Sequence, residues 1–154
     1  MDASTNDRRH EPSGGPAARA DAMDSAIREL DDGECWEVLG RSGIGHLAFQ
    51  LQPAGVDILP INYLVSDRQL FFRSAPGSKL SSLAVHPRVA FQVEQLVRDA
   101  WFSVVVKGEA VRLALDEEIE RSGILELAPA QPGEKFNYVC ITPDTITGRT
   151  FAAS

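Results

Sequence analysis

The sequence predicts a mainly β fold, a small antiparallel barrel of six to seven strands with short helices at its connections. Three observations carry this. Apolar runs of strand length recur along the chain, at GIGHLAFQL, VDILPINYLV, QLFFRS, RVAFQVEQ and AWFSVVVKGEAVRL. Clusters of Gly, Pro, Ser and Asp separate them at hairpin-like spacing. Helical periodicity appears only in brief stretches between the strands, as peripheral helices on a barrel would require.

The 154 residues suffice for one domain with a sizeable core. A net charge of −7 argues against a nucleic-acid or anionic membrane surface as the main partner. Cys35 and Cys140 are far apart and lack metal-ligand spacing, which suits free thiols in a reducing cytoplasm. No apolar run reaches membrane-spanning length, and no signal-peptide core is present, so a soluble cytoplasmic protein is expected.

Residues 1–24 are rich in Ser, Gly, Pro, Ala and charge without an apolar period, and are expected to be a disordered tail. Residues 25–154 form the expected domain. Asp31 and Glu34 give a capping-box pattern for a short helix carrying Cys35, Trp36, Val38 and Leu39, ended by Gly40 or Gly43. Trp36 reads as a packing residue over one end of the sheet. A strand over 43–51 leads through QPAG to a second over 56–65. Pro60 within it cannot donate to a ladder, and so predicts an edge or a place where the ladder opens. A third strand, 69–74, follows a tight turn at 66–68. Leu80, Leu83 and Ala84 mark a helix over about 76–85, with Pro76 near its start.

A fourth strand begins at Arg88 and a long fifth at Ala100. Val104, Val105 and Val106 in succession imply a barrel wall, and Gly108 a bend or bulge. Asp116 is a candidate N-cap for an acidic helix stopped by Pro129. Two last strands, FNYVCIT and DTITGRTF, are expected around Pro143.

Catalytic and metal motifs are missing: there is no H-E-x-x-H, C-x-x-C, G-x-S-x-G, P-loop or G-x-G-x-x-G. His10 lies in the tail, and His46 and His86 read as structural. Asp116, Glu117, Glu118 and Glu120 read as a solvated helix face. What remains is Arg73-Ser74-Ala75-Pro76-Gly77-Ser78-Lys79. Two cations, two hydroxyls and a run of backbone N–H groups at a helix start, all within seven residues, make a candidate phosphate seat. The apolar strands before it would form a wall for something flat attached to that phosphate.

The order of these elements resembles the pyridoxamine 5'-phosphate oxidase-like FMN-binding split barrels over about 30–151, most closely the actinobacterial-type members. The matching residues are Glu34-Cys35-Trp36, Pro60-Ile61-Asn62-Tyr63, Phe72 to Leu80, the W-F-S-V-V-V-K-G strand and Ile146 to Phe151. The resemblance implies a split β-barrel that binds FMN as an oxidoreductase, usually as a homodimer with cofactor at the interface. It implies that Ile58, Leu59, Pro60, Ile61, Asn62 and Tyr63 line the isoalloxazine ring. Phe72, Arg73, Ser74, Ser78 and Lys79 would surround the phosphate, and Ser103 would face the flavin. Trp101 or Arg149 would approach from the partner subunit.

The oxidases proper carry an arginine where this chain has Ile58, a lysine where it has Tyr63, and a C-terminal R-x-H absent here. Vitamin B6 oxidation is therefore not expected, and the substrate is left open. The alternatives are a non-catalytic flavin-binding or sensing module, or a split barrel that takes a deazaflavin or haem. No catalytic side chain is assigned, because hydride chemistry would belong to the cofactor.

Overall fold

The computed structural model describes residues 27–127 and 137–153, so the expected tail 1–24 and the stop at Pro129 lie outside the described residues. The elements are β1 (Arg28–Glu29), α1 (Asp32–Arg41), β2 (Ile44–Gln50), β3 (Val56–Ser66), β4 (Gln69–Ser74) and α2 (Ser78–Val85), followed by β5 (Arg88–Val97), β6 (Ala100–Arg112), α3 (Asp116–Ser122), a 3-10 turn (Ile124–Glu126) and β7 (Asn137–Ala152). All strand pairs are antiparallel, in the order β1-β7-β4-β3-β2-β5-β6, and β6 pairs back onto β7. Six strands thus close a ring, and β1 adds two residues to the outer end of β7. This is the mainly β split barrel that the strand pattern and the resemblance predict.

Strand alternation builds the interior. Leu47 and Phe49 of β2, Leu70 and Phe72 of β4, Phe91 and Val93 of β5, and Val104 and Val106 of β6 all enter one buried cluster. Helix α1 adds Cys35, Val38 and Leu39 to the same cluster and so closes one mouth of the barrel. Its capping box forms as the sequence predicts: the Asp31 carboxylate accepts from the Glu34 N–H, and Glu34 accepts from the Asp31 N–H. The helix runs through Gly40 to Arg41, however, with Ser42 as C-cap, so neither glycine ends it. Trp36 packs half-buried against the core with the Arg68 guanidinium over its ring, 5.4 Å from the centroid. Both cysteines are buried free thiols.

Outside the barrel, Phe71 and Cys140 join Ile124 in a second cluster beneath α3 and the 3-10 turn. Asp116 is the first helical residue of α3; Leu115 occupies the cap position and no side chain caps the helix. Gly123, left-handed at φ 77°, ends it.

The two expected C-terminal strands are one. β7 pairs with β4 through Asn137–Ile141 and with β6 through Val139–Ala152. Pro143 interrupts nothing because the β6–β7 register shifts between Lys107 and Gly108, and the bulge absorbs the missing N–H.

Candidate functional site

The split lies beside the first half of β3. β4 pairs with Tyr63–Ser66 and goes no further along β3, while Arg73 and Ser74 continue its ladder with β7 opposite Tyr138 and Asn137. Val56–Asn62 therefore have β2 on one side and an open edge on the other. The direction of that edge follows from one bond. The Tyr63 N–H donates to the Gly43 carbonyl, toward β2. Backbone groups alternate sides along a strand, so those of Ile58, Pro60 and Asn62 point to the open side. The Ile58 N–H there is taken by the Asp57 carboxylate, and Pro60 has none to lose. This is the opened ladder that Pro60 predicts.

Side chains on β3 divide by the same alternation. Ile58, Pro60 and Asn62 are exposed on the outer face, whereas Leu59 packs against the core and Ile61 and Tyr63 are buried. The Tyr63 hydroxyl donates to the Leu39 carbonyl of α1, its ring packs edge-on against Phe91, and burial pushes its pKa up to about 12. Phe72 is fully buried beside it. Tyr63 and Phe72 thus back the site from inside the barrel rather than facing outward from it.

The candidate phosphate seat lies at the start of α2. Gly77 occupies its cap position without a side chain to cap the first-turn N–H groups. Ser78 is exposed, and Lys79 is half-buried with its ammonium 5.7 Å from the centroid of the Phe72 ring. Burial lowers the Lys79 pKa, and among the described residues no carboxylate forms an ion pair with it. A desolvated cation beside uncapped helix N–H groups is an anion-binding arrangement.

Arg73 and Ser74 face opposite sides of β4. Arg73 donates to the Ile124 and Leu125 carbonyls and lies over the Tyr138 ring, tying the 3-10 turn to the strand. Ser74 is buried and donates to the Ala75 carbonyl. The structure thus places Lys79 over Phe72, the residue opposite Tyr63 where the β3–β4 pairing ends, with Arg73 engaged on the other face of β4. Ser103 stands apart: it is half-buried on the outer face of β6, separated from Asn62 by β2 and β5. At a strand spacing of about 4.8 Å this places it roughly 14 Å away.

His46, which reads as structural in the sequence, lies on that same outer face opposite Pro60. Its alternation with core residues Leu47 and Phe49 was the available signal.

The family model for pyridoxamine 5'-phosphate oxidase matches residues 31–150. Among solved structures, a Corynebacterium glutamicum protein that carries the pyridoxamine 5'-phosphate oxidase name provisionally superposes with a TM-score of 0.72 at 32% identity, over 82% of this chain and 98% of that one. A FAD-binding protein from Mesorhizobium loti gives 0.72 at 26% identity, over 82% and 99% of the two chains. The FAD-binding protein from Mycobacterium smegmatis gives 0.70 at 28%, over 82% and 100%.

Proposed function

This chain belongs to the pyridoxamine 5'-phosphate oxidase family, and we propose that it is an FMN-dependent oxidoreductase, working as a cytoplasmic homodimer on a small-molecule substrate. The observation that carries the reading is the half-buried Lys79 ammonium, without an ion-pair partner among the described residues, at the uncapped start of α2 and over Phe72, where the β3–β4 pairing ends. A phosphate at α2 would complete the charge balance of Lys79 and take up the first-turn N–H groups.

Each residue then has a role. Ser78 and Lys79 hold the phosphate, and Arg73 and Ser74 fix the end of β4 behind it. Ile58, Pro60 and Asn62 lie along the ring, with the Asn62 N–H and the Ile58 and Pro60 carbonyls meeting its polar rim. Leu59, Ile61, Tyr63 and Phe72 keep that strand rigid from within. The flavin supplies the hydride chemistry, and the chain binds and orients it and keeps water from one side. Ser103 lies three strands from Asn62 within one chain, so it joins the site from the partner subunit, along with Trp101 or Arg149.

The substrate is not a vitamin B6 phosphate. Ile58 presents an apolar side chain, and the Tyr63 phenol is buried against α1, so neither supplies a cation for a second phosphate.

The test is a titration of the purified protein with FMN, FAD, a deazaflavin and haem, followed by fluorescence and the visible spectrum. Tightest binding of FMN with a bound-flavin spectrum is expected. A colourless protein that leaves FMN fluorescence unchanged rejects the reading. Reduction of bound FMN by a nicotinamide cofactor, with consumption of oxygen or a nitro compound, separates an oxidoreductase from a sensing module.

A further inference from the structure

We propose that His46 is a ligand-contact residue of this face, holding the polar rim of the bound flavin through Nε2; the inference rests on the flavin reading above. Three features of the structure point there. First, alternation along β2 sends Leu47 and Phe49 into the core and leaves the His46 imidazole exposed on the outer face. Second, His46 stands directly opposite Pro60. The Tyr63-to-Gly43 bond makes the 63/43 and 61/45 positions the bonded pairs of this ladder, so His46 and Pro60 form a narrow pair. Their Cα atoms are then about 4.5 Å apart and their side chains lie against each other. Anything flat that lies over Pro60 is within reach of the imidazole.

Third, the ring is oriented. His46 Nδ1 lies 3.3 Å from the Gln92 side-chain oxygen, on the strand that pairs with β2 at this position. In the tautomer this proposal requires, Nδ1–H donates to that oxygen and Nε2 carries the lone pair. The neighbours on the face are Ile44, Ala48, Ile58 and Pro60, with the polar Asn62, Gln92 and Glu94 around them. An apolar floor with polar groups at its margin suits a flat ring whose rim carries N–H and carbonyl groups.

Two measurements on 15N-labelled full-length protein test this: imidazole nitrogen spectra with and without FMN, and FMN affinity of wild type, His46→Ala and His46→Gln. The spectra hold three histidines, and His46→Gln identifies the resonance. FMN is expected to shift the His46 Nε2 signal. His46→Ala is expected to weaken FMN about three- to tenfold, the scale of one hydrogen bond, with partial recovery in His46→Gln. Inorganic phosphate should compete with FMN equally in all three, since the α2 seat is untouched. Wild type that binds FMN with an unmoved His46 signal overturns the role of His46 and leaves the flavin reading standing. Wild type that ignores FMN overturns both.

Discussion

At the scale of single residues, burial decides what each polar group can do. Lys79 is held where its charge is partly desolvated and no carboxylate answers it among the described residues, so it costs stability until an anion arrives. Its pKa is lowered on folding. The charged form is therefore penalised at neutral pH, and the penalty is relieved only as the pH rises through the folded pKa. Lys79→Ala is expected to weaken FMN by about 1–3 kcal/mol, the range for losing a charged hydrogen-bond partner, in a fluorescence titration. Lys79→Met, measured without FMN, is expected to match or exceed the wild-type melting temperature. A loss of stability in that variant would mean that Lys79 serves the fold. Tyr63 shows the opposite assignment: its place in the P-I-N-Y run suggests a ring contact, but one step of strand alternation turns the phenol inward to Leu39.

At the scale of elements, α1 and the β6–β7 pair make separate predictions. The Arg28 guanidinium and the Asp31 N–H together hold the Glu34 carboxyl at about 2, below the usual 4.5. A depressed folded pKa means stabilisation that is complete above about pH 4.5 and lost as the pH falls toward 2. Acid unfolding of Glu34→Gln should accordingly show a weaker pH dependence than wild type across that window. In the β6–β7 pair, a Cβ on Gly108 would lie 2.2 Å from the Thr142 carbonyl oxygen, a backbone atom that cannot swing aside. Gly108→Ala is expected to cost about 1–3 kcal/mol by thermal unfolding, the scale of an overpacked site. Gly43→Ala, with nothing within 4 Å of the added methyl, serves as the near-neutral comparison.

At the scale of the whole molecule, the barrel leaves its β3-β2-β5 face outside any helix-covered cluster. Ile44 is 61% exposed there, Val56 72% and Ile58 60%. Apolar side chains grouped on a sheet face mark an interaction surface, and the proposed homodimer would bury it. Ile44→Glu is expected to shift the sedimentation mass from two chains to one. A wild type that already sediments as one chain would reject the dimer.

Strand periods, the Asp31/Glu34 cap and the punctuation by glycine and proline are local properties, and they were enough for the barrel class, α1 and the extents of β3 and β4. Spaced short motifs were enough for the family. What depends on pairing partners was not legible. β7 is continuous through Pro143 only because Gly108 lies across from it on β6, and Arg73 is tied to the 3-10 turn only because the Ile124 and Leu125 carbonyls lie beside β4. The same holds for His46, whose meaning comes from Pro60 and Gln92 beside it. By itself the sequence determined which segments are strands and which residues could bind a phosphate. Only the tertiary structure decided which way each of them faces, because the register and the closure of the ring set every side chain inward or outward at once.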